Sequence, residues 1–204
     1  MKLLLQHGSN IYDVTPILEG GVEWFASIKG KAGRLKFKVV RDGIVNFVEG
    51  DKVTLYVNGM SRFSGFVMTK ERTSEQIISV TAYDQMFYLT RNKGTYVFVN
   101  KSAKEVVQTI GADYGLQTGY ISDSGWKMPQ RIEEGETLVD IILSALEICG
   151  QAVGKEYFLY SWIRMPRKST SSTMGPINIA AARKALLLSK TWQKNLMSLT
   201  LPTS

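Results

Sequence analysis

Apolar residues over the first 90 positions recur at every second place, in short runs broken by Gly, Asn and Asp, which is the signature of half-buried strands. In residues 22–29, Val22, Trp24, Ala26 and Ile28 share one face. In residues 35–41, Leu35, Phe37 and Val39 oppose Lys36, Lys38 and Val40. Residues 52–57 and 60–69 flank Asn58-Gly59, a dipeptide that accepts positive φ at both centres of a type I′ turn, so a tight hairpin is predicted. Residues 76–83 follow, with Ile78, Val80 and Ala82 on one side. So many short strands must protect their edges by closing or packing, and a small antiparallel β-barrel over residues 1–93 is the expectation.

The period changes at Asn100. Ser102-Ala103-Lys104-Glu105 is a capping box, Val106, Val107, Ile110 and Tyr114 follow at helical spacing, and Gly115 supplies a stop. A second helix opens at Thr137-Leu138-Val139-Asp140 and carries Leu138, Ile141, Ile142, Ala145 and Cys149 on one stripe as far as Gly150. A polar loop over 119–135 joins the two, and helices this short bury their stripes only against each other or the sheet. Residues 154–160 read as one more strand. The fold class is therefore α+β: a β-barrel over 1–93, a small two-helix α/β segment over 94–160, and an atypical tail over 161–204. In that tail residues 161–175 show no period, and only 180–188 look helical.

Composition narrows the chemistry. The chain has 204 residues, 44% apolar and 21% charged, enough for one or two packed domains. Its single cysteine, Cys149, excludes an intrachain disulfide and a cysteine-rich zinc site, and His7 is the one histidine, so triads and multi-histidine centres are disfavoured. No cofactor or metal is implied. The first apolar run is too short for a signal peptide, and no run of 18 apolar residues follows, so no membrane span is expected. The net charge of +7 is localised: residues 1–160 hold 18 basic and 18 acidic residues, while residues 161–204 hold seven basic residues and no acid. Loss of acids and loss of period at one place suggest a reading-frame change or a divergent end, which would pack poorly and be removable. The competing reading is a basic extension that contacts nucleic acid or an acidic partner.

Several groupings are candidates for chemistry. Glu133, Glu134 and Glu136 could serve as an acid/base pair or bind a cation; the simpler account places them in a first helical turn, where they complement the helix N-terminus. Gly20, Gly21, Gly30 and Gly33 match no phosphate-loop pattern and read as turns. The basic cluster Lys29, Lys31, Arg34, Lys36, Lys38 and Arg41 could track a nucleic-acid backbone. Against specific nucleic-acid binding, alternate lysines on a strand form a solvated face that guards an edge, and the body carries no net charge. Trp24, Phe37, Tyr56, Phe63 and Phe66 read as core or subunit-interface residues, and Trp126, in a loop, as an exposed contact or a tucked anchor.

The order FSGFVMTKE, ISVTAYDQMFYLTRNKGTYVF, KSAKEVVQTIGADYGL and TLVDIILSALE resembles the baseplate hub family of contractile phage tails and phage-like particles, the type found in PBSX-like defective prophages and related to late-control D proteins. The resemblance covers residues 1–160 and is most specific over 80–96, where Ala82-Tyr83-Asp84 closes a strand and Arg91-Asn92-Lys93-Gly94-Thr95-Tyr96 leads into the helical part. It implies a non-enzymatic structural subunit without catalytic, cofactor or metal residues. Such subunits form homotrimers with two tube-like barrels per chain, joining the tail tube protein to the central spike and other baseplate proteins. The implied location is the virion tail baseplate, after synthesis in the bacterial cytoplasm. The sequence departs from the family after KEYFLY, where a turn and further strands are expected, so the second barrel is missing or unrecognisable. The alternatives are a barrel-type nucleic-acid-binding module using the basic strand and a tail-associated cell-wall hydrolase using the three glutamates.

Overall fold

The computed structural model describes residues 1–161 other than 28, 42 and 44, together with 177–182 and 199–201. The N-terminal strands are β1 (Lys2–His7), β2 (Asn10–Asp13), β3 (Val22–Phe25), β4 (Arg34–Val40), β5 (Lys52–Val57), β6 (Met60–Arg72) and β7 (Ile77–Tyr83). With β13 (Leu199–Leu201) they form one antiparallel sheet of eight strands in the order β13-β3-β4-β7-β6-β5-β1-β2. Alternation does what it predicts in β4: Leu35, Phe37 and Val39 are buried and stand opposite Ala82, Val80 and Ile78 of β7. The Asn58-Gly59 turn has φ of 52° and 72°, as a type I′ hairpin requires. Gly65 in β6 is obligatory for a different reason, since a Cβ there would lie 2.2 Å from the Tyr83 carbonyl oxygen.

The expected closed barrel is corrected to a curled, open sheet, because no ladder joins the end strands β2 and β13 among the described residues. A staple does part of the work of closure. Val14 N–H donates to the Leu3 carbonyl at 3.0 Å, and Glu19 N–H donates to the Lys38 carbonyl at 2.9 Å, with a 3-10 turn at Thr15–Ile17 between them. β1 and β4 stand four places apart in the sheet, about 19 Å if it were flat, so a six-residue tie draws the two halves toward each other over a shared core.

The remaining chain builds a second core. α1 (Met86–Arg91), α2 (Ala103–Asp113) and α3 (Leu138–Val153) pack with a two-stranded ribbon of β8 (Lys93–Lys101) and β10 (Met128–Thr137). They also pack with a three-stranded sheet of β9 (Thr118–Ile121), β11 (Glu156–Ser161) and β12 (Ile177–Ala182) in the order β11-β12-β9. The capping box forms as predicted: Glu105 N–H donates to Ser102 Oγ and Ser102 N–H to the Glu105 carboxylate, a bond that holds the Glu105 carboxyl down to about 2. Cys149 lies in the core, also as predicted.

Other expectations change. The two cores divide between Ala82 and Met86, since Met86 and Leu89 of α1 already belong to the helical core. The loop expected over 119–135 is largely β9 and β10. α3 runs past Gly150, where the missing Cβ makes room for the Lys155 carbonyl, and stops at Gly154, which has φ of 65°. β4 is a central strand, so its lysines guard no edge. Ile28, assigned above to a strand face, lies outside the described residues.

The tail also departs from expectation. Residues 180–182, read as the start of a helix, belong to β12, and residues 183–188 lie outside the described residues. β12 is the middle strand of its sheet, antiparallel to β11 and parallel to β9, and Ile177 and Ile179 are fully buried. A harmlessly removable tail is inconsistent with that placement. Truncation after Ser161 is expected to cost about 3 kcal/mol or more from the lost burial of these two isoleucines. Urea unfolding of the full and shortened chains checks this; coincident midpoints would contradict it.

Candidate functional site

The two cores meet at Asp84-Gln85, directly after β7. Asp84 is almost fully buried, and its carboxylate accepts hydrogen bonds from Gly33 N–H, Met86 N–H and the Ser161 hydroxyl. Asp84 N–H returns a bond to the Gly33 carbonyl at 3.1 Å. Burial pushes the Asp84 carboxyl well above the usual carboxylate range, against the lowering pull of those three donors. Gln85, fully buried, clamps the backbone of Gln117 from both sides, its Nε2 donating at 2.8 Å and its Oε1 accepting at 3.1 Å. One dipeptide therefore fixes the loop before β4, the start of α1, the end of β11 and the entry to β9.

Above this junction opens a cleft of about 410 Å³ lined by Phe25, Lys31, Ala32, Arg34, Tyr83, Phe87, Thr90 and Arg91. Its floor is the outer face of the sheet, where Arg34 stands between Phe25 of β3 and Tyr83 of β7 in register. Its wall is α1. The rings of Tyr83 and Phe87 lie 4.8 Å apart, and the Arg91 guanidinium sits 5.4 Å from the centre of the Phe87 ring. Among the described residues no acid lines the opening.

A second surface lies on the β8–β10 ribbon. Val97 and Ile132 stand opposite each other, and Val99 is two places along on the same face of β8. All three are more than half exposed, at 61%, 56% and 59%. Phe98, between the two valines on the other face of β8, is buried in the helical core, so β8 is apolar on both faces.

Of the basic cluster, Arg34, Lys36 and Lys38 share the outer face of β4. Lys31 and Arg34 line the cleft, Lys29 forms a bridge to Leu159, and Arg41 follows the strand end. Glu23 opposes Lys36 across β3, which interrupts any positive line along the strand. Glu133, Glu134 and Glu136 sit on β10 and not in a helical turn; Glu133 is buried and bonded to Arg131, and the first-turn acid of α3 is Asp140. Trp126 packs half-buried on the helical core, the tucked-anchor reading. His7 pairs with Asp51 at 2.8 Å. Arg91, Phe87 and Asp84 were missed as site residues; the clue was the compact run Ala82 to Arg91, in which a strand passes into a helix through two polar residues.

The open antiparallel sheet followed by a helix-and-ribbon unit is an arrangement found in a solved phage tail protein. The 43 kDa tail protein of prophage MuSo2 from Shewanella oneidensis shares it with a TM-score of 0.61 at 17% identity, over 88% of this chain and 54% of that one. The sequence makes the relationship closer: residues 22–163 match the YQBQ-like family, and the chain belongs to it. Protein YqbQ of Bacillus subtilis strain 168 is 34% identical over 114 residues, and the phage-like element PBSX protein XkdQ of the same strain is 33% identical over 114 residues. Each match covers 55% of this chain and 35% of the relative, so the shared region spans about a third of those proteins. The family match ends within a few residues of the point where acids vanish from the sequence.

The junction makes a pH prediction. A carboxyl raised in the folded state holds its proton more tightly there than in the unfolded chain, so stability is lost as pH rises from the ordinary carboxylate range toward the folded value. Asp84→Ala leaves buried N–H groups unpaired and is expected to cost about 1–3 kcal/mol. Asp84→Asn removes the titration, and the stability difference between wild type and this variant should move against wild type as pH rises from about 4 toward 8. Denaturation at a series of pH values measures it; a constant difference would show that Asp84 titrates as an ordinary carboxylate.

Proposed function

We propose that this chain is a structural subunit of a phage or prophage tail baseplate hub, joining the tail tube to the central spike as a homotrimer, with its role carried by assembly surfaces and not by catalysis. Membership of the YQBQ-like family and the tail-protein fold support the reading. The observation that carries the assembly part is the ribbon: three β-branched side chains, Val97, Val99 and Ile132, share one outward face of a two-stranded sheet. Such a face gains by burial against a neighbouring subunit. On the same reading the open eight-stranded sheet takes the place of the tube-like domain, and its end strands β2 and β13 are the edges available to adjoining strands. The particle tail is then where the protein works.

Light scattering with size exclusion at rising protein concentration is expected to give three times the subunit mass. Val97→Lys combined with Ile132→Lys should shift the protein to monomer with an unchanged circular dichroism spectrum, since both side chains face solvent in the isolated chain. A wild-type monomer at high concentration, or a trimer indifferent to these changes, would sink the assignment of the ribbon.

A further inference from the structure

We infer that the cleft between the sheet and α1 is a docking site for an acidic polypeptide segment of a partner chain, one carrying at least two side-chain carboxylates beside an apolar side chain. Three cations, Lys31, Arg34 and Arg91, surround one opening with no lining acid among the described residues. Among the described residues none of the three forms an ion pair, whereas Lys2, Lys101, Lys104 and Arg131 each meet a carboxylate. In a body with 18 basic and 18 acidic residues over positions 1–160, this is a local imbalance and not a share of a general positive field. Like charges around one opening repel one another, and carboxylates entering between them relieve that repulsion while gaining charge-assisted hydrogen bonds from the two guanidinium groups.

The rest of the cleft selects the kind of anion. Phe25, Tyr83 and Phe87 give it an aromatic lining, so a bare anion would leave most of that surface in contact with water. An apolar side chain next to the carboxylates covers it. Arg91 is already placed by its contact with Phe87, so little ordering of that side chain accompanies binding. The volume of about 410 Å³ suits a few side chains of one segment. A nucleic-acid backbone needs cations repeated along a line, and here Glu23 stands opposite the next lysine outward, Lys36. The chain's own residues 161–204 contain no Asp or Glu, so that tail cannot supply the carboxylates.

The experiment uses the full chain and a fluorescein-labelled octapeptide of Asp, Glu and Phe, with an Asn, Gln and Phe peptide of the same order as control, followed by anisotropy at low salt. The acidic peptide is expected to bind at least about tenfold more tightly than the amide peptide, and its affinity to fall as salt rises. Arg34→Gln with Arg91→Gln should weaken binding by about tenfold or more, while Lys36→Gln with Lys38→Gln, on the same sheet face outside the cleft, should change it by less than about twofold. Thermal melting of each variant checks that it folds. Where the double variant does not, Arg91→Gln alone, at the exposed end of α1, is expected to show a severalfold loss. Equal binding of the amide peptide, equal losses from the two pairs of substitutions, or displacement of the peptide by a DNA duplex at lower concentration than by unlabelled peptide would overturn the proposal.

Discussion

Asp84 places a carboxylate at the meeting of two hydrophobic cores, where its hydrogen-bonding capacity is met by two backbone N–H groups and a hydroxyl. Much of the remaining geometry follows from that burial. Gly33 must lack a side chain, because a Cβ would come within 2.5 Å of the carboxylate, and its backbone is bonded to Asp84 in both directions. That fixes the path of the chain between Lys31 and Arg34. On the other side, the bond to Met86 N–H sets where α1 begins, and so where Phe87 and, one turn later, Thr90 and Arg91 fall. The cleft is therefore a consequence of the junction, built from residues whose positions the same carboxylate dictates from two directions.

Gln85 extends the constraint to the far side of the second core. By holding the Gln117 backbone it presents the Gln117 carbonyl to Ile177 N–H at 2.8 Å, and β12 then inserts between β9 and β11. The burial of Ile177 and Ile179 thus depends on a side chain more than 90 positions earlier. α1 also leads directly into the ribbon: Leu138 N–H bonds to the Asn92 carbonyl at 3.0 Å, and β8 starts at the next residue. The cationic cleft and the apolar ribbon accordingly hang on one six-residue helix. Two surfaces of opposite chemistry are held in a set relation by it.

What the sequence by itself determined is whatever depends on near neighbours along the chain. The alternation in β4, the Asn58-Gly59 turn, the capping box at Ser102 and the stripe of α3 all follow from one residue's relation to those within a few places of it. β8 was not legible, because Val97 and Val99 are exposed while Phe98 is buried, and a strand apolar on both faces has no alternation to read; β10, with Met128 and Ile132 set among polar residues, reads as a loop. β12 was hidden for a related reason: its alanine run fits a helix as well as a strand, and only pairing with β9 and β11 decides between them. The tertiary structure alone decided the rest. It set the division of the cores at Asp84 and brought Arg91 beside Lys31 and Arg34, because such contacts join residues some 60 positions apart and no local period records them.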